Sequence, residues 1–242
     1  MRPNAVHRAL DAELTAAMRR RAGAAPRVLD VGGGTGVWAV PMAQRGCHVT
    51  VVEPSPNALA TLQRRAADAG VADRITAVQG DTEALARLVP EREADLVLGH
   101  GVLEVVDDLP AAVAALVTVT APGGAVSVLV ANRYAAVLHR ALSGHLEQAR
   151  SLLNDPHGTL PVAGESLLRR FDSESVQLLL AGAGLAVELM QGDDVLSGVV
   201  PGSALEDPKA SDVLAELELA VSSRSPLRDI ASRLHVLARR PG

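Results

Sequence analysis

Leu29-Asp30-Val31-Gly32-Gly33-Gly34-Thr35-Gly36 is the stretch on which the reading of this chain turns. A short β-rich run, 27–31, stops at Gly32. Glycine at alternating positions lets a backbone turn sharply and approach a ligand closely. A helix pattern follows at 37–45, and a helix N-terminus presents free N–H groups that suit a carboxylate or a phosphate. Spacing narrows the choice of ligand. A dinucleotide fingerprint needs G-x-G-x-x-G/A, yet counting from Gly32 and Gly34 the third small position holds Val37. The pattern is Asp30-x-Gly32-x-Gly34-x-Gly36, which weighs against a nicotinamide oxidoreductase.

Outward from this turn, strand and helix signals alternate. Apolar positions at Val6, Leu10, Leu14 and Met18 predict a helix over 4–22. Strands are expected at 48–52, 75–78, 94–99 and 125–131. Helices are expected at 56–69, 82–88 and 109–120, with Pro56 in a first turn and Gly70 at an end; Pro122-Gly123-Gly124 is read as the stop of the last. This alternation predicts an α/β fold with a doubly wound, Rossmann-like, mostly parallel sheet. From Asn132 to Arg170 the rhythm breaks into two short helical patterns and a Gly/Pro-containing loop over 155–164. A helix at 173–183, an acidic helix near 208–221 and late strands at 185–190 and 234–238 bring the expected sheet to seven strands, with a helical insertion after strand five.

Composition bounds the function. The 242 residues suit one α/β domain, and 48% apolar content can build its core. Trp38, Tyr134 and Phe171 are the only aromatics, so a platform for stacking bases would be thin. The net charge of -5 gives no global attraction to nucleic acid. Arg19, Arg20 and Arg21 close the first helix pattern, where they favour the helix dipole. A lone Cys47 excludes an internal disulfide. No signal-peptide pattern and no long apolar window is seen, so a cytoplasmic location without membrane contact is expected.

Further markers follow the glycine turn in order. Glu53 closes the second strand, where a carboxylate can accept both ribose hydroxyls. Gly80-Asp81-Thr82 follows the third strand, Ala94-Asp95-Leu96-Val97 opens the fourth, and Pro122-Gly123-Gly124 precedes the fifth. Taken singly, Glu53 could be a helix-start acid and Asp81 an N-cap. Together with Asp30-x-Gly32-x-Gly34-x-Gly36, this series resembles the class I S-adenosylmethionine (SAM) dependent methyltransferases. The resemblance implies a single methyltransferase domain over 1–242, with a SAM-binding core at 27–131, an insertion or lid at 132–170 and completion of the sheet at 171–242. It also implies that Asp30 and the backbone of Gly32, Gly34 and Gly36 hold the methionine moiety, that Glu53 holds the ribose, and that Asp81 and Thr82 border the adenine. Residues 99–104 would then face the methyl group, with His100 beside both cofactor and acceptor.

The acceptor is less defined. No Asn/Asp-Pro-Pro-aromatic motif follows strand four, Cys47 lies away from the expected site, and no cluster suggests a metal. His100 could serve as a base or a hydrogen-bond donor, or could only cover the cofactor; Glu104 could orient the next helix. The stretches Leu98-Gly99-His100-Gly101-Val102-Leu103-Glu104, Val137-Leu138-His139-Arg140-Ala141-Leu142-Ser143-Gly144 and Arg233-Leu234-His235-Val236-Leu237-Ala238-Arg239 are similar to the bacterial tRNA 5-carboxymethoxyuridine methyltransferases. That family esterifies a carboxylate on the wobble uridine. Such an acceptor is already ionised, with a pKa near ~4, so it needs cations or donors and no base. Arg133, His139 and Arg140 are the candidates for that role, with His100 more important if the acceptor were a hydroxyl. A small-molecule O- or N-methyltransferase, with the insertion as its lid, remains the alternative, and a SAM-binding protein without catalysis a third reading. Arginines 19–21, 133, 140, 169 and 170 gathered around one mouth would favour RNA; a closed pocket would favour a small molecule.

Overall fold

The strand before the glycine turn, β1 (Arg27–Val31), lies inside a seven-stranded sheet of order β3-β2-β1-β4-β5-β7-β6. The other strands are β2 (His48–Glu53), β3 (Ile75–Gln79), β4 (Ala94–His100), β5 (Thr120–Ala131), β6 (Ala186–Asp193) and β7 (Arg233–Arg239). The computed structural model describes residues 4–160, 162 and 164–242; Pro161 and Ala163, in the loop expected at 155–164, lie outside the described residues. Strands β1 to β5 pair in parallel, and β7 runs antiparallel between β5 and β6. The doubly wound, mostly parallel, seven-stranded sheet is therefore present.

Both faces of this sheet are covered, which is why its central strands read as near-continuous apolar runs. One face packs Leu96 and Leu98 against helices α1 (Ala5–Arg20), α2 (Ala39–Gln44) and α3 (Pro56–Asp68) through Leu10, Met42 and Leu62. The other packs Val97 and Val236 against α4 (Leu85–Leu88) and α5 (Leu109–Val119), through Leu85 and Leu116. The insertion forms α6 (Arg133–Leu142) and α7 (Leu146–Asn154), which lie against each other. Helix α8 (Ser173–Gly182) returns to the second face through Val176 and Leu180, and α9 (Pro208–Val221) is the acidic helix.

Local chemistry sets the helix starts. Ser55, Asp108 and Asp172 accept backbone N–H bonds from Ala58, Ala111 and Ser175, which satisfies donors that a helix leaves open. Several boundaries differ from expectation, among them α4, which begins at Leu85 and not at 82, and β6, which runs to Asp193 and not to 190. Helix α2 begins at Ala39 and not at Val37, because 36–38 complete the turn after β1. Strand β5 begins at Thr120 and not at Ala125: its pairing with β4 jumps from Ala94↔Thr120 to Leu96↔Ala125. Pro122-Gly123-Gly124 is thus a bulge inside a strand and does not end the preceding helix. Gly123 takes a φ of 72° there, and its N–H donates to the Arg240 carbonyl at 3.0 Å.

At the amino edge of the sheet, Glu13 of α1 is buried and accepts bonds from both Arg20 and Arg239. The Arg239 guanidinium also reaches Glu188, so one side chain ties α1 to the last two strands. Replacing Arg239 with Met is expected to lower unfolding free energy by about 2–3 kcal/mol, since a buried carboxylate loses its strongest partner. Urea denaturation measures this; an unchanged midpoint would show that Arg20 alone suffices.

Candidate active site

In an open parallel sheet, ligands bind at the carboxyl ends of the strands, where the strand order reverses. Here that point lies between β1 and β4. A cavity of about 720 Å³ opens there, lined in part by Gly32, Glu53, Asp81, Thr82 and Val102. Its size suits a nucleoside-sized ligand. Four glycines make the turn possible. Gly32, Gly34 and Gly36 have φ values of 67°, 55° and 78°, a region that side chains disfavour. A Cβ on Gly33 would sit 2.6 Å from the Asp30 carboxyl carbon, and one on Gly36 would sit 2.3 Å from Leu62 Cδ1. Gly34 faces open space.

Glu53 is what closes the turn. Its carboxylate accepts the Gly34 N–H at 3.0 Å and the Ser55 N–H at 2.9 Å, so it is held from two sides at the cavity wall. Asp30 lies beneath Gly33, fully buried, and its Oδ2 has no partner. Burial pushes its carboxyl up to about 7, and the nearby Glu53 charge adds to the shift. Asp81 accepts the Ala84 N–H at 3.0 Å, so it starts a turn and borders the cavity at once.

The cavity wall also carries Glu83, Asp107 and Asp108, which no motif in the sequence marks. With Glu53 and Asp81 that makes five carboxylates, and no Lys or Arg stands among the described lining residues. Such a field favours a cation and opposes a pyrophosphate. SAM carries a sulfonium, so the donor set fits it and does not fit a dinucleotide. The orphaned Asp30 Oδ2 and the open space over Gly34 fit the methionine end of such a ligand. Asp108 was visible as an acid before a helix, but only the fold turns that cap toward the cavity.

The acceptor-side candidates are dispersed. His100 ends β4 but does not line the cavity. It faces the other side of the sheet, edge-on to Trp38 at 5.0 Å, and Trp38 stacks on His7 at 4.6 Å. Glu104 is buried, accepts the Ala131 N–H at 2.7 Å, and is pushed up by burial. Arg133 pairs with Asp172 at 2.5 Å and donates to the carbonyls of Leu153 and Asp155, which staples α6 to its neighbours. His139 is exposed and Arg140 half-buried on α6. Arg169 donates to the carbonyls of Leu103, Val106 and Asp107, and Arg170 pairs with Glu165. Arg20 and Arg21 pair with Glu13 and Asp95 at the opposite edge. Arg20 and Arg21 therefore sit apart from Arg133, Arg169 and Arg170, and no arginine is among the described residues that line the cavity.

Residues 4–189 match the methyltransferase domain family, more than half of the chain. The chain belongs to that family. SAM-dependent methyl transfer is its activity class. The chain is 27% identical to the tRNA 5-carboxymethoxyuridine methyltransferase of Escherichia coli over 215 residues, 89% of this chain and 80% of that one. It is 36% identical to the ubiquinone biosynthesis O-methyltransferase of Pseudomonas fluorescens over 110 residues, 46% of each chain. A SAM-dependent methyltransferase from Mesorhizobium loti superposes with a TM-score of 0.60 at 18% identity, over 97% of both chains. The [4+2]-cyclase SpnF shares the fold with a TM-score of 0.57 at 20% identity, over 97% of this chain and 83% of that one. No helix among the described residues is long and apolar enough to cross a membrane.

The buried Asp30 gives the methyltransferase a testable pH signature. An unfolded Asp ionises near ~3.9, whereas the folded one ionises near about 7. Between these values the native state holds the extra proton, so stability falls as pH rises. Asp30→Asn is expected to exceed wild type in thermal stability at pH 8, with the gain vanishing toward pH 4. Equal melting temperatures at pH 8 would place the Asp30 carboxyl in a solvated setting.

Proposed function

We propose that this methyltransferase uses SAM to esterify a carboxylate on a modified uridine of tRNA. The observation that carries the reading is the extent of likeness. Similarity to the E. coli tRNA enzyme runs over 215 residues, about twice the core at 27–131, and hence through the insertion and into the tail. The likeness to the ubiquinone enzyme runs over 110 residues, about the length of that core alone.

In this reading 27–131 is the SAM-binding core, 132–170 the lid and 171–242 the completion of the sheet. Asp30 and the backbone of Gly32, Gly34 and Gly36 hold the methionine moiety. The free lone pairs of Glu53 take the ribose hydroxyls, and Asp81 and Thr82 flank the adenine. His139 and Arg140, on α6, meet the anionic acceptor. Arg133 acts indirectly, by fixing α6 against Asp172. When bound, SAM supplies an electrophilic methyl carbon, to which the acceptor oxygen bonds as the C–S electron pair passes to sulfur. The carboxylate arrives ionised, so the protein's task is alignment and exclusion of water.

A small-molecule acceptor is the second reading, favoured by a specific observation: Arg133, Arg169 and Arg170 are already engaged with protein partners, and the cavity rim is acidic. Both features oppose a phosphate backbone. Labelled SAM offered with bulk tRNA and, in parallel, with a small-metabolite extract separates the two. Ribonuclease-sensitive label in tRNA is expected; label in small molecules alone would sink the tRNA reading. Glu53→Ala is expected to weaken SAM binding by about 1–3 kcal/mol, the cost of stranding hydrogen-bonded groups. Unchanged affinity by calorimetry would remove Glu53 from the cofactor site.

A further inference from the structure

Four polar side chains cross one face of the sheet on neighbouring strands, away from the cavity. His100 of β4 bonds Ser127 of β5 through Nε2 at 2.8 Å. Ser127 Oγ also meets His235 Nε2 of β7 at 2.8 Å, and His235 Nδ1 meets the Gln191 amide nitrogen of β6 at 2.9 Å. Ser127 and His235 are fully buried, and α1 lies over this face. The last atom in the row, His100 Nδ1, is buried and has no partner.

The row has a direction. With the Gln191 amide nitrogen turned toward the ring, that nitrogen donates and His235 Nδ1 accepts. Burial holds both imidazoles neutral. His235 then carries its proton on Nε2 and donates it to Ser127 Oγ. The serine hydroxyl donates onward to His100 Nε2. His100 is left protonated on Nδ1, the atom without a partner. An unpaired buried donor is costly, and a catalytic role is one of the few reasons for which native structures retain one.

We propose that Gln191, His235 and Ser127 form a positioning relay that fixes His100 as an Nδ1–H donor for the acceptor oxygen at the carboxyl edge of β4. The assignment of that edge to the acceptor rests on the methyl-transfer reading above. A histidine locked in this way donates a hydrogen bond and takes no proton. It suits an acceptor oxygen that arrives ionised.

Nitrogen-15 spectra of histidine-labelled protein read both tautomers directly, with His100→Gln and His235→Gln used for assignment. Wild type is expected to show His235 protonated on Nε2 and His100 on Nδ1. Gln191→Glu replaces the donor by an acceptor and should reverse the row, moving the His100 proton to Nε2. The same variant should lose at least about tenfold in turnover of tRNA bearing 5-carboxymethoxyuridine, the worth of one hydrogen bond, with the KM for SAM unchanged. Ser127→Ala should lose the same factor and Ser127→Thr should recover it, which guards against a Gln191 variant that fails to fold. His100 found on Nε2 in wild type, a tautomer indifferent to Gln191, or full turnover in the reversed variant would each overturn the relay. Wild type inactive on this tRNA would overturn the acceptor reading alone, since the spectra still decide the relay.

Discussion

The bond from the Gly34 N–H to the Glu53 carboxylate is the constraint on which the site depends. It joins the turn after β1 to the end of β2, two points that the parallel pairing brings level. Without side chains at 32, 33, 34 and 36 the backbone can follow this path, and with the carboxylate in place it stays there. The same bond keeps Glu53 at the cavity wall in place of a solvated conformation. One interaction therefore sets the turn geometry and presents an acid to the ligand. Asp30 depends on it too, because the loop it supports is what shuts Asp30 away from water and raises its pKa.

Much of this was legible from the chain alone. A strand buried on both faces must be apolar throughout, so 27–31, 48–52 and 94–99 stand out against their surroundings. The turn, Glu53 and Asp81 were legible because the chemistry they share depends on local spacing after a strand. What lay hidden depended on distance in sequence. Arg133 looked like a free cation on a helix; its partner Asp172 lies 39 residues on. His100 looked like an acceptor-facing loop residue, and its three relay partners lie 27, 91 and 135 residues away, on strands whose neighbours only the sheet order reveals. The bulge at Pro122-Gly123-Gly124 misled for a different reason. Helix stops and strand bulges recruit the same residues, and only pairing on both sides tells them apart.

The two sides of β4 present different chemistry. The cavity between β1 and β4 is walled by carboxylates, which suits a cationic donor molecule. The far side of β4 is built from His7, Trp38, His100 and the row behind it, with the Arg233–Asp193 pair nearby and the Arg233 charge felt at His100 and Glu104. A cationic methyl donor approached from the acidic side and an anionic oxygen approached from the other would meet across the carboxyl end of β4. Displacement at carbon requires such opposite approach.

The shared fold does not by itself fix the chemistry, as the superposable [4+2]-cyclase makes plain. What distinguishes one chain from another must lie in groups that the fold does not require. The glycine turn and the apolar strands are dictated by packing and by the turn itself. A histidine, a serine, a second histidine and a glutamine buried in line across β4, β5, β7 and β6 are not. Apolar residues at those four places would pack at least as well, because burying polar groups is favourable only when each finds its partner. Each of the four finds one here, and only the second nitrogen of His100 is left over. The unpaired nitrogen at the end of the row is therefore a feature that packing does not explain, and on the reading proposed above it lies at the edge where the acceptor arrives.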